Sequence, residues 1–235
     1  MELLNIDKKT ITVDIVSDVV CPWCYVGKKR VEKAMNELRN EYNFEVNFHP
    51  FQLDPTIPET GVEQKQYFIK KFGGADRMEE IFSHVEHAGA SVGIDFKFRE
   101  IPKAINTLGL HAILHVAKEE GIQLEVKQAL FEAYMVNPID LTLEENLAKV
   151  MEKFGWSKAK TVSFYKDDNL KYTISQEIRQ FQQMGISGVP FFIINNKYGV
   201  SGAQASETFK NAFLSLKDED FPQTEANACE IGGNC

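Results

Sequence analysis

Two cysteines separated by two residues, Cys21-Pro22-Trp23-Cys24, stand between a β-branched run, Ile11 to Val16, and a segment in which Val31, Ala34, Met35 and Leu38 recur at helical spacing. At such a strand-to-helix junction Cys21 falls at a helix N-terminus, where unpaired backbone N–H groups and the positive end of the dipole stabilise a thiolate. Placement of this kind moves a thiol from a pKa of ~8.5 into the range ~3.5–7.5, so Cys21 is expected to be the more acidic and more exposed sulfur. Pro22 suits the first helical turn, which loses nothing by its missing N–H. Lys28, Lys29 and Arg30 follow one to two turns later and would add positive potential. Cys24 lies one turn deeper, so the pair reads as an attacking sulfur and a resolving one, the requirement for thiol–disulfide exchange.

An alternative use of the motif is half of a zinc site, completed by Cys229 and Cys235. Those two are separated by five residues rather than two and lie on an acidic tail, which is not the spacing of a zinc knuckle, and no metal is expected. Gly232 and Gly233 between them let the chain fold back, so Cys229 and Cys235 are candidates for a second redox pair that exchanges with the first.

The elements that must position these residues are legible as a pattern. A second strand runs over Phe44 to Phe48, where apolar and polar residues alternate. From about Leu53 to Gly185 every periodic segment is helical: Met78, Ile81, Phe82 and Val85 form one stripe, and Ile105, Leu108, Ala112 and Val116 another. A third is Leu143, Leu147, Val150, Met151 and Phe154, opened by a capping box at Thr142 to Glu145 and closed by Gly155; Leu170, Ile174, Ile178 and Phe181 form the last. Strand signals return at Val189 to Ile194 and Tyr198 to Ser201, around a turn at Asn195 to Lys197, before a helix near Ser206 to Leu216. Residues 1–52 and 176–220 then make one small α/β domain, residues 53–175 a helical insertion, and residues 221–235 a flexible cysteine-containing tail.

Composition sets outer limits. The 235 residues are 43% hydrophobic and 26% charged and include 17 Phe, enough for a core that needs no disulfide or metal scaffold and leaves the four cysteines for chemistry. A net charge of −8 argues against general affinity for nucleic acid or anionic membrane. No apolar stretch approaches the ~20 residues of a membrane span. Met1 to Thr10 lacks the basic-then-apolar order of a secretory signal, and the chain is read as cytoplasmic.

Several other residues have a chemical and a plainer reading. His111 and His115 stand one helical turn apart and could share a metal, but no third ligand accompanies them, and packing or exposure is the better reading. His84 and His87 beside Glu86 read as a solvated face. Asp18 tunes the Cys21 thiol or serves as a cap. Phe191 and Phe192 read as core strand.

The segment Gly188-Val189-Pro190-Phe191-Phe192 puts a proline at the entrance to a β-rich run, a setting for a cis peptide. With Cys21-Pro22-Trp23-Cys24 upstream, the chain resembles thioredoxin-fold proteins, and its long helical insertion resembles the DsbA family. Within that family it is most similar to the FrnE-like branch. The likeness rests on Asp18 before the cysteines, Tyr25, His49-Pro50-Phe51-Gln52-Leu53, Asn106-Thr107 with His111, Leu130-Phe131-Glu132-Ala133-Tyr134, and Gly202-Ala203-Gln204, from about residue 10 to 212.

The resemblance implies an α/β, thioredoxin-like fold with a large all-helical insertion domain. It implies that Cys21 and Cys24 are the redox pair and that Pro22, Trp23, Val189 and cis-Pro190 meet an extended substrate. It also places Asn106 and His111 near the groove, and has Pro190 keep a metal off the thiols. Trp23 departs from the His of the strongly oxidising periplasmic members; a neutral indole cannot stabilise a thiolate as an imidazolium can. The implied activity is thiol–disulfide exchange with protein or peptide thiols and disulfides, or with glutathione, without a dissociable cofactor. Two other functions are compatible with parts of the pattern: a kappa-type glutathione-dependent transferase or isomerase, and a zinc-held, redox-sensing interaction module.

Overall fold

A computed structural model of the protein describes residues 8–221. Cys229 and Cys235, and with them the second redox pair and the zinc alternative that needs them, lie outside the described residues.

The chain opens with β1 (Thr10–Ser17), passes through Cys21 into α1 (Pro22–Leu38) and returns in β2 (Asn43–Pro50). β1 pairs in parallel with β2 over its full length, Ile11 opposite Phe44 and Ile15 opposite Phe48. The connecting α1 makes this a β-α-β crossover, the only way two sequential strands can pair in parallel at short range. β5 (Phe191–Ile194) joins the other edge of β1 antiparallel, and β6 (Tyr198–Ser201) pairs antiparallel with β5, giving the order β2-β1-β5-β6. β5 starts two residues later than the apolar run suggests, after the cis peptide between Val189 and Pro190, because Pro190 has no N–H to donate to a ladder. Asn195 and Asn196 carry the β5–β6 turn with positive φ, a conformation asparagine tolerates.

Ile11, Val13 and Ile15 of β1 are fully buried with Val31 of α1, Phe192 of β5, and Phe209 and Phe213 of α9 (Ser206–Leu214). Alternation along β1 puts these residues on one face, which α1 and α9 cover.

Between β2 and β5 the chain is almost wholly helical. β3 (Val62–Glu63) and β4 (Lys103–Ala104) form a minimal two-stranded ribbon, and α2 (Gln64–Phe72), α3 (Ala75–Ala90), α4 (Leu108–Glu119), α5 (Gln123–Met135), α6 (Glu144–Glu152), α7 (Lys158–Tyr165) and α8 (Asp168–Gln183) make up the rest. α8 runs through residue 176, where the patterning divides the chain. The core of this block reaches the cysteines: Cys21, Cys24, Tyr25 and Val26 belong to the same apolar cluster as Phe82, Phe96, Phe131 and Tyr134.

The capping box expected at Thr142 does not form. The Thr142 hydroxyl is turned back to Asp140 at 2.5 Å, and α6 starts from Leu143, which is half exposed rather than part of the buried stripe. Asp140 offers Thr142 a closer carboxylate than any N–H of the coming helix, so a local Asx turn wins. α4 also begins later than its apolar stripe, at Leu108, leaving Ile105 buried but outside the helix.

Candidate functional site

Cys21 is the N-cap residue of α1, with an extended backbone, and Pro22 occupies the first helical turn. The backbone N–H of Cys24 and Tyr25 both donate to the Cys21 carbonyl, at 3.0 and 3.3 Å, which fixes Cys24 one turn inward. Both cysteines are free thiols, Cys21 3% exposed and Cys24 fully buried. The Cys21 sulfur faces the Val189 carbonyl oxygen at 3.7 Å. Pro190 packs onto α1 where Gly27 has no side chain: a Cβ there would stand 3.1 Å from Pro190 Cγ and 3.0 Å from the Phe192 ring. Gly27 is thus a positioning residue that the sequence pattern did not single out.

The two thiols are linked in ionisation. A hydrogen bond with Cys24, then burial, push the Cys21 thiol well above the usual thiol range. Burial opposes ionisation of Cys24 too, but hydrogen bonds from Cys21 and Ser17 and the charge of Lys127 outweigh it, so Cys24 lies below that range. The order is the reverse of the one expected from the helix end alone. The first proton lost leaves the negative charge on the deeper sulfur, and that charge opposes loss of the second.

Lys28, Lys29 and Arg30 do not supply the positive potential, because each has another partner. Lys28 bonds Glu32 and Gln128, Arg30 donates to the Ala203 carbonyl, and Lys29 lies over the Tyr25 ring. The cation whose charge bears on the thiols is Lys127 of α5, which is fully buried. Its signal was present in the sequence: Gln123, Lys127, Leu130, Phe131 and Tyr134 share one helical face, and all five are buried.

Asp18, three residues before Cys21, is 1% exposed. One carboxylate oxygen accepts from the Leu53 N–H at 2.8 Å; the other stands 3.3 Å from His111 Nε2, which also lies 2.9 Å from the Phe51 carbonyl. Burial alone would raise the Asp18 carboxyl, but these contacts hold it below its ordinary value. His111 is therefore a clamp behind the cysteines rather than a wall of the groove. Asn106 is likewise turned away: it accepts from the Leu108 N–H and Gln52 and donates to the Ile57 carbonyl, tying the start of α4 to the loop after β2.

Cys21, Pro22, Trp23 and Val189 line a cavity of about 310 Å³ whose remaining walls are largely apolar, including Phe68, Phe82 and Ile105. Among the described residues no group of three or more His, Cys, Asp or Glu is arranged to hold a metal ion.

The sequence matches the DSBA-like thioredoxin domain model over residues 12–214. The chain belongs to that family. It is similar to a probable DsbA oxidoreductase from Streptomyces coelicolor, with 27% identity, TM-score 0.82, and coverage of 95% of this chain and 97% of that one. Among curated proteins it is 23% identical over 209 residues to the uncharacterized protein YwbO of Bacillus subtilis, covering 86% of this chain and 96% of YwbO. The fold is shared more distantly with the cytosolic disulfide reductase DsbM of Pseudomonas aeruginosa, solved with glutathione, at 14% identity and TM-score 0.56 over 86% of this chain and 96% of DsbM. No helix among the described residues is long and apolar enough to cross a membrane.

Proposed function

We propose that this member of the DsbA-like family is a thiol–disulfide oxidoreductase that works through Cys21 and Cys24. The observation that carries the reading is the asymmetric pair itself. Cys21 borders the cavity and faces the Val189 carbonyl, whereas Cys24 is wholly enclosed and holds the lower thiol pKa. In the oxidising direction a substrate thiolate attacks Cys21, a Cys21–substrate disulfide forms, the Cys21–Cys24 bond breaks, and its electron pair leaves on Cys24. A second substrate thiolate then displaces Cys21, so the substrate loses two electrons and the protein gains them. A low leaving-group pKa speeds the first step.

The substrate class follows from the walls of the cavity. An extended peptide running beside Val189 and Pro190 would present its cysteine to Cys21 and an adjoining large apolar side chain to Trp23 and Phe82. Glutathione, bound in the solved structure of DsbM, is the candidate small-thiol partner. The FrnE-like motifs favour that branch of the family, the fold shared with the cytosolic reductase DsbM favours a cytoplasmic protein, and residues 53–175 are read as an inserted helical domain. An intact pair of thiols within one helical turn disfavours the kappa-type transferase reading, which needs only one Ser or Cys.

Equilibration of the protein with glutathione buffers tests the proposal. In a protein carrying Cys229→Ser and Cys235→Ser, a single two-electron Cys21–Cys24 couple is expected, and it disappears when Cys21→Ser is added. Persistence of the couple in that variant overturns the proposal.

A further inference from the structure

Lys127 is the only buried polar side chain among the described residues whose nitrogen has no hydrogen-bond partner. It is fully buried, its ammonium 5.2 Å from the Phe48 ring centroid and 4.9 Å from that of Phe131. An ammonium held among aromatic rings gains some cation–π energy, but less than the loss of its hydration. A buried charge without a partner is costly, and a neutral side chain of the same length would fill the space.

The surroundings narrow what its partner can be. α5 is anchored against the first turns of α1: Phe131 stacks on Tyr25 at 4.9 Å, and Gln128 Nε2 donates to the Tyr25 hydroxyl at 2.6 Å. Phe131, whose ring Lys127 approaches, lies in the same buried cluster as Cys24, and the charge of Lys127 bears on Cys24 first, then on Asp18 and Cys21. The carboxylates nearby are engaged elsewhere. Asp18 is held by Leu53 and His111, and Glu177 is held by His49 at 2.8 Å. Among the titratable groups lining the cavity of about 240 Å³ that Lys127 borders are His49, His111, His115, Lys118 and Glu177, so Glu177 is its one acid.

We infer that Lys127 is a positioning residue whose charge is matched by the Cys24 thiolate, a species that exists only when the Cys21–Cys24 disulfide is opened. The inference rests on the reading of Cys21 and Cys24 as the redox pair. As the substrate thiolate bonds to Cys21, the electron pair of the breaking bond collects on Cys24, and the waiting ammonium receives that charge without a proton changing hands. The interaction is absent in the disulfide and present in the mixed disulfide, so it lowers the barrier to attack and favours the reduced protein. Burial lowers the Lys127 amine to about 8, which leaves it charged at neutral pH.

The test is the acidity of Cys24, read by ultraviolet thiolate absorbance in a Cys21→Ser protein that also carries Cys229→Ser and Cys235→Ser. Introducing Lys127→Met should make the Cys24 thiol about tenfold less acidic, and in the otherwise native chain should shift the glutathione equilibrium about tenfold toward the disulfide. Lys127→Gln provides the same comparison if the methionine variant does not fold. Unchanged Cys24 acidity in the folded variant overturns the inference. Because this titration needs no turnover, a Cys24 thiol that responds to Lys127 in a protein without exchange activity would uphold the inference and refute the proposed function instead.

Discussion

The sulfur of Cys21 faces the carbonyl oxygen of Val189 at 3.7 Å, although 168 residues separate them in the chain. On the proposed function, a substrate cysteine would enter at this contact, between the helix end and the Val189–Pro190 loop, with the apolar cavity on one side. Leu53 lines that cavity and is 42% exposed, so its side chain is available to a ligand and little needed by the core. Leu53→Ser is expected to lower kcat/KM severalfold for peptides with a large apolar residue beside the cysteine, as about 1 kcal/mol of apolar contact is lost. Exchange with glutathione should change less, and steady-state assays of the two substrates side by side check the difference.

Removing the His111 clamp should cost stability. In His111→Ala the buried Asp18 carboxylate keeps only the Leu53 N–H, and the Phe51 carbonyl loses its donor. Leaving a buried carboxylate short of a hydrogen-bond donor typically costs about 3 kcal/mol, measurable as a lower urea midpoint. Asp18→Asn with His111 retained should cost less, since neither group is then left charged and unmatched.

A pH dependence follows from His49, whose ring nitrogens meet Asp14 at 2.9 Å and Glu177 at 2.8 Å, joining β1 to α8. Burial disfavours the charged ring, but the two carboxylates outweigh it and raise its pKa in the folded protein. A group with a raised folded pKa contributes stability that is complete below its unfolded value, about 6.5, and is lost as pH rises through the folded value. The unfolding free energy should therefore fall as pH rises above about 6.5, and His49→Gln should flatten that fall. Urea denaturation across neutral pH provides the measurement.

The sheet and its two covering helices were legible because β-branched alternation and helical stripes report burial directly, and β1, α1, β2 and β6 fall where those patterns place them. The cysteines were legible by spacing. The electrostatics were not. Lys28, Lys29 and Arg30 are near Cys21 in sequence yet spent on Glu32, the Tyr25 ring and the Ala203 carbonyl, whereas Lys127 comes from more than a hundred residues away. A lysine on an apolar stripe looks like an interruption of it until the tertiary fold brings its charge to bear on a thiol. Asn106 and His111 show the converse: the family motif marked them, but their partners, Leu108, Ile57 and Asp18, make them supports rather than groove walls.

The central claim is that Cys21 exchanges with substrate and Cys24 resolves, and trapping tests it most directly. A Cys24→Ser protein incubated with a disulfide-bonded peptide or with oxidised glutathione should accumulate a mixed disulfide that mass mapping locates on Cys21, while Cys21→Ser should accumulate none on Cys24. An adduct on Cys24 in the Cys21→Ser protein, or full exchange activity without Cys21, would contradict the account.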